Sequence, residues 1–217
     1  MASRYTGMSM VCKICETRRA RRACPAVDGM ICPICCGTSR EVTLTCPLDC
    51  EFLQEARKHE QPPAVNPAEF PNQDIKLSQK FLNANEVLLL FFGRSVLEAG
   101  LNTPGAIDSD VRAALDSLVR TYRTLDSGIY YDTTPENSIA AAIYQRIKAG
   151  IAEFRAAEIE RLGMTKTRDA DVLGILVFLQ RLEMDRNNGR MRGRAFLDFL
   201  RGQFPPLVGS APSLVQI

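Results

Sequence analysis

Long hydrophobic runs are missing from this sequence. Apart from glycine, its longest strongly apolar stretches are residues 87–92 and 172–179, whereas a membrane-spanning helix needs roughly 18 or more apolar residues. Residues 1–8 also lack the apolar core of a secretory signal peptide. We therefore expect a protein without a membrane span that works in a reducing compartment, the cytoplasm.

A strong charge imbalance is also missing. The chain has 27 Lys and Arg residues against 25 Asp and Glu residues, a formal net charge of +2, which argues against a histone-like protein that coats nucleic acid. Its composition is that of a globular protein, with 46% hydrophobic residues. The sequence is therefore expected to build a core, and any basic surface must be local.

Histidine is nearly absent, since His59 is the only one. Catalysis by a Ser-His-Asp or Cys-His arrangement would have to use it, yet its polar setting predicts an exposed helix end. His59 is a candidate metal ligand only in place of one of the cysteines. No zinc-protease motif, phosphate loop or dinucleotide fingerprint is present. We expect no catalysis, and an enzyme with an unrecognised site in the helical region is an alternative.

Cysteine, by contrast, is concentrated in one segment: all eight residues lie in the first 50 positions. Such a short segment has too little apolar surface to fold unaided. In a reducing compartment, clustered cysteines are more typical of metal sites than of disulfides. The predicted metal ligands are Cys12, Cys15, Cys24, Cys32, Cys35, Cys36, Cys46 and Cys50.

The cysteine spacing is that of a zinc site. Cys12 and Cys15 form a first Cys-x2-Cys pair, and Cys32 and Cys35 form a second pair after a gap of 16 residues. Eight thiols complete two tetrahedral four-cysteine shells with no position left for water, as in structural zinc sites. We therefore predict two zinc ions; an iron–sulfur cluster or a redox-active Cys32–Cys35 pair are the alternatives.

The segment also resembles a known class of zinc modules. Residues 32–37, CPICCG, resemble the zinc knuckle of treble-clef domains; residues 40–45 suit a strand, and Cys46 and Cys50 open a good helix over residues 51–57. Over residues 10–60 the ordered pairs are similar to cross-braced binuclear modules of the MYND, HIT and RING kind. The resemblance implies two zinc ions and a protein-binding role.

How the eight cysteines divide between two ions is open. A treble-clef grouping, which we favour, joins the second pair to Cys46 and Cys50 and leaves Cys24 and Cys36 with the first pair. A zinc-ribbon grouping joins the first pair to the second. A cross-brace joins the first pair to Cys46 and Cys50.

Two arginine clusters are candidates for contacts with an anion or a nucleic acid. The simpler interpretations are a solvated loop that neutralises thiolates for the first cluster and favourable charge at a helix C-terminus for the second, and we favour these. A nucleic-acid-binding protein is accordingly an alternative function. The candidate residues are Arg18, Arg19, Arg21 and Arg22 in the first cluster and Arg190, Arg192 and Arg194 in the second.

Four segments follow from composition. Residues 1–60 form the zinc module, residues 61–73 a proline-rich linker, residues 74–204 a helical domain and residues 205–217 an apolar C-terminal tail. Proline disfavours helix, so the linker is expected to be extended and the two halves to fold independently. Residues 207–217 are expected to dock on this chain or on a partner.

The helical domain is predicted from apolar residues at helical spacing and from capping residues. Asn83, Asp108, Thr134 and Thr167 are candidate N-caps, and residues 195–203 are a short last helix. Short connections favour antiparallel neighbours. The predicted fold is a small Cys-rich zinc module, treble-clef-like and α+β, followed by an all-α bundle of five or six helices. It indicates a zinc-binding macromolecular interaction protein, with another protein as preferred partner and no small-molecule substrate identified.

Overall fold

The fold is mostly helical. A computed structural model describes residues 11–61 and 63–204. In this part of the chain there are eight α-helices and one two-stranded antiparallel sheet. No helix in it is both long enough and apolar enough to cross a membrane. The expected docking of residues 207–217 lies outside the described residues.

The cysteine-rich part contains two short strands and two short helices. The elements are β1 (Arg22–Cys24), β2 (Gly29–Ile31), α1 (Pro33–Ser39) and α2 (Glu51–Arg57). Strand β1 pairs with β2 so that Cys24 lies opposite Gly29. Helix α1 starts with proline at its first position, where the missing amide hydrogen costs nothing.

The sequence prediction for this part is confirmed in α2 and is wrong for the two segments before it, residues 32–37 and 40–45. Residues 40–45 form a turn rather than a strand, with a single bridge between Arg40 and Leu44 and a left-handed Glu41 at φ 51°. The predicted knuckle at residues 32–37 is instead the start of α1, with Cys32 as its N-cap. A treble-clef arrangement is therefore not shown.

Six helices follow within residues 74–204 and enclose one apolar core. They are α3 (Gln79–Ala84), α4 (Glu86–Leu101), α5 (Asp108–Asp126), α6 (Ser138–Leu162), α7 (Asp169–Arg186) and α8 (Ala195–Gln203). Helix α5 packs against α7 and α6, and α4 packs against α6, α7 and α8. The apolar residues at helical spacing in α5 face this core: Val111, Leu115, Leu118, Val119 and Tyr122 are buried and Leu125 is partly buried.

Helix ends were predicted with mixed success. Helix α8 covers the predicted residues 195–203, but α4 does not begin at Asn83, which belongs to the separate helix α3 capped by Ser78. Helix α6 begins at Ser138 rather than at Thr134-Pro135, because Asn137 accepts a hydrogen bond from the amide of Ile139 at 2.8 Å. A nearby alternative cap thus determines the start.

The proline-rich segment lies against the helices. The carbonyl oxygens of Pro71 and Asn72 accept hydrogen bonds from the Arg181 guanidinium at 3.2 and 2.5 Å. Arg123 donates to the Asn72 side chain at 2.6 Å. These contacts attach the second half of the segment to α5 and α7.

Asp108, predicted as the N-cap of α5, connects two helices instead. It lies buried in the first turn of α5, and its carboxylate accepts hydrogen bonds from the amides of Phe196 at 2.9 Å and Leu197 at 3.2 Å. These amides belong to the first turn of α8, where backbone donors have no partner within the helix. Asp108 therefore caps α8 across the core.

Asp108 predicts a pH dependence of stability. Burial, followed by the negative charges of Glu183 and Glu41, raises its pKa from the ordinary 3.8 to about 7. The folded protein binds this proton more tightly than the unfolded chain, so the stabilisation is complete below the unfolded pKa and is lost as pH rises through about 7. Between pH 5.5 and 8, we expect Asp108→Asn to become progressively more stable relative to the wild type.

Urea unfolding of both proteins at several pH values measures this difference. The exposed Asp49 serves as the matched control, and Asp49→Asn should follow the wild type at every pH. Parallel curves for the wild type and Asp108→Asn would contradict the expectation.

Candidate metal centre and its surroundings

Four cysteines come together at one point of the N-terminal part. The sulfur atoms of Cys12, Cys15, Cys32 and Cys35 all lie within 4.8 Å of one another, and all but Cys15 are buried. Sulfurs at about 2.3 Å from a tetrahedral zinc ion would be about 3.8 Å apart. The cluster therefore has the composition and nearly the size of a four-thiolate metal site, and it can bind a metal ion.

Backbone hydrogen bonds bring the two cysteine pairs side by side. The amide of Lys13 donates to the carbonyl of Met30 at 3.0 Å, which places the first pair beside β2. The amide of Glu16 closes a turn onto the carbonyl of Cys12 at 2.8 Å. Cys32 follows β2 directly and caps α1, where its sulfur accepts from the amide of Cys35 at 3.4 Å.

The protonation of the thiols is uneven. The hydroxyl and amide of Thr17 and the amide of Arg18 lower the pKa of Cys15 to about 5. Burial, together with the neighbouring thiols, raises the pKa of Cys35 to about 12. Four thiolates repel one another in this space, and a divalent cation would remove that repulsion. The donor chemistry thus suits a bound metal.

The grouping is the one that the zinc-ribbon alternative predicts, and it differs from the treble-clef grouping that the sequence favoured. The antiparallel β1–β2 hairpin is the reason, since it returns the chain so that the second pair meets the first. Cys24, Cys36, Cys46 and Cys50 lie outside the cluster. Within the described residues, no second group of ligands is gathered as closely.

The only histidine lies apart from the four sulfurs. His59 follows α2 on an exposed surface, and its Nε2 is 3.5 Å from a carboxylate oxygen of Glu55. It is not among the residues that gather around the cluster.

The first arginine cluster lies next to the metal centre. Arg18 is exposed, and its pKa is raised by a hydrogen bond to the Cys32 sulfur and by the negative charge of Cys15. Arg22 stacks on the Phe52 ring at 4.6 Å from its centroid. Arg19 and Arg21 are exposed.

The second arginine cluster contacts the N-terminal part of the same chain. Arg190 donates to a Glu60 carboxylate oxygen at 3.0 Å and to the Arg40 carbonyl at 2.9 Å. Arg192 donates to the Thr45 hydroxyl at 2.8 Å. Burial lowers the pKa of Arg194. Arg190 and Arg192 are therefore engaged within the chain, whereas the buried Nε of Arg194 has no hydrogen-bond partner.

Glu41 is at the centre of this contact and was not singled out by the sequence. Its side chain is only 1% exposed. Its carboxylate accepts hydrogen bonds from Arg57 at 2.7 Å, from Asn188 at 2.9 Å and from the amide of Arg194 at 2.9 Å. The Glu41 carbonyl also accepts from the amide of Arg192 at 2.8 Å. One buried carboxylate thus fastens the N-terminal part to the loop between α7 and α8.

Helix α2 contributes to the same joint. Arg57 also forms an ion pair with Asp198 of α8, and Gln54 donates to Asp198 at 3.1 Å. Arg201 of α8 donates to the carbonyl of Leu48 at 3.0 Å.

Comparisons of the chain with protein-family models, with curated proteins and with solved structures give no match.

Proposed function

We propose that this chain is a zinc-binding interaction protein whose partner is another protein. The observation that carries the proposal is the closed four-cysteine cluster. Four thiolates complete the tetrahedral coordination that structural zinc prefers, whereas catalytic zinc keeps one position for water or substrate. The metal would thus hold a surface in place and would take no part in a reaction.

The surface around the cluster supports a protein partner. Ile14 and Ile34 are each adjacent in sequence to a cluster cysteine, and the two residues are 38% and 55% exposed. Val11, next to Cys12, is 52% exposed. Aliphatic side chains gain free energy by leaving water, by about 1.5–3 kcal/mol for full burial of each. Held on a rigid metal site, they form a preorganised apolar contact for another protein.

The Ile14→Ser, Ile34→Ser double variant tests this surface. Capture of the partner that the wild type binds should weaken by roughly tenfold or more, the effect of losing central apolar contacts. Zinc content and helical circular dichroism should stay unchanged. Val87→Ser is the matched control, because Val87 is 72% exposed on α4, away from the cluster, and should bind as the wild type does.

Equal capture by the double variant and the wild type would contradict the proposed surface. Loss of capture in Val87→Ser alone would locate the interface on the helices instead.

Nucleic-acid binding is the second candidate. It is favoured by the exposed positions of Arg18, Arg19 and Arg21 beside the cluster, where phosphates could reach them. Binding of this kind weakens steeply as salt rises, because counterions are released from the nucleic acid. A steep salt dependence that is reduced by Arg19→Gln and Arg21→Gln would favour this candidate over the apolar surface.

A further inference from the structure

The remaining four cysteines belong to the same N-terminal part but lie outside the first cluster. Cys24 ends β1, Cys36 lies in α1, and Cys50 is the N-cap of α2. Cys46 lies four residues before Cys50 in the preceding loop. They thus come from four pieces of backbone: β1, α1, the loop before α2 and the start of α2.

Contacts between β1, α1 and α2 bring three of these pieces together. The Arg22 guanidinium lies 4.6 Å from the centroid of the Phe52 ring, which joins β1 to the first turn of α2. Cys24 is two residues beyond Arg22, and alternate residues of a strand share a face. Cys24 and Phe52 also pack against the buried apolar cluster that contains Cys36.

Cys46 is placed by burial and by a turn of the backbone. It is buried, and the amide of Cys50 donates to the carbonyl of Pro47 at 3.1 Å, which closes a turn that holds Cys46 near Cys50. Cys46 is therefore the fourth member of the same neighbourhood.

Positive charge lies next to this set of thiols. The Nη2 atom of Arg40 is 3.7 Å from the Cys36 sulfur, and Arg22 lies on the same strand face as Cys24. A zinc ion with four thiolates carries a net charge of −2. Two half-buried guanidinium groups offset that charge, as Arg18 does beside the first cluster.

Resting on the proposed zinc-binding function, we infer that Cys24, Cys36, Cys46 and Cys50 hold a second zinc ion. These sulfur atoms are gathered less closely than those of the first cluster, so binding turns the side chains toward a common point. The two sites interlock, because Cys24, at the end of β1, lies between the two cysteine pairs of the first site along the chain. The second ion ties α2 and the turn at Glu41 to the hairpin, and so connects the first site to the joint with α8.

Metal analysis of the full chain, purified without chelator, tests the inference. We expect about two zinc ions per chain for the wild type and about one for each of Cys46→Ser and Cys50→Ser. Cys12→Ser should lose the other ion. His59→Ala is the matched control and should keep both ions, because His59 is an exposed side chain outside the two sets.

The outcomes separate this inference from the proposed function. One zinc ion that is retained in Cys46→Ser and lost in Cys12→Ser overturns the second site alone. No zinc in the wild type overturns both. Should the serine variants fail to fold, X-ray absorption of the zinc-loaded wild type decides. Two ions with four sulfur ligands each at about 2.3 Å support the inference, and nitrogen or oxygen ligands at one of them overturn it.

Discussion

Removal of zinc from the full chain is expected to unfold the cysteine-rich part and to leave the helical core of α4 to α8 folded. The cysteine-rich part buries few apolar side chains besides its cysteines, mainly Ile31, Leu48 and Leu53. Its folding free energy must therefore come largely from metal binding, which contributes about 10–16 kcal/mol in small zinc-dependent units. The helices share a large apolar core that contains none of the predicted ligands.

Amide hydrogen exchange before and after chelation measures the effect. Amides of β1, β2 and α1 should lose their protection, while those of α5 and α7 should keep it. Zinc, and not magnesium, should restore protection, because thiolates prefer the softer ion. Unchanged exchange in β2 after complete loss of zinc would contradict a structural role for the metal.

Replacing Glu41 with alanine is expected to lower the free energy of unfolding by about 3–5 kcal/mol, the usual cost of removing one partner from a buried ion pair. The change leaves the Arg57 guanidinium and the Asn188 amide without their shared acceptor. It also removes the acceptor of the Arg194 amide. The loss is large because the carboxylate is almost completely inaccessible to water.

Urea unfolding measures this loss, with two variants as controls. Glu41→Gln keeps one oxygen acceptor in place and should lose less than Glu41→Ala. The exposed Glu51→Ala, in the same part of the chain, should change stability by no more than about 0.5 kcal/mol. A loss below about 1 kcal/mol for Glu41→Ala would show that the buried network contributes little beyond an ordinary hydrogen bond.

Independent folding of the two halves, which the proline-rich linker predicts, stays a prediction. The contacts around Glu41 favour coupled folding of the two halves instead, because each half supplies hydrogen-bond partners to the other. If the halves were separated, Asn188 would lose its hydrogen bond to Glu41, and Arg190 would lose those to Glu60 and to the Arg40 carbonyl. Water would replace these partners.

Features that depend on near neighbours along the chain follow directly from the amino-acid sequence. Residues 51–57 and 195–203 form helices as predicted, since apolar spacing and helix formers act within one or two turns. The Cys-x2-Cys spacing likewise identified Cys12, Cys15, Cys32 and Cys35 as a possible metal set, because two such cysteines reach one point from a single turn.

Which of these local units come into contact depends on the whole fold. Residues 40–45 have the alternating composition of a strand, yet they form a turn because the buried Glu41 finds its partners Asn188 and Arg194 at separations of 147 and 153 residues. The contact between the two parts of the chain also provides hydrogen-bond partners for Arg190, which binds Glu60, and for Arg192, which binds Thr45. The spacing of two cysteines along the chain restricts the geometry of one turn. Whether a charged side chain such as Glu41 can be buried depends on the partners that the whole fold places around it.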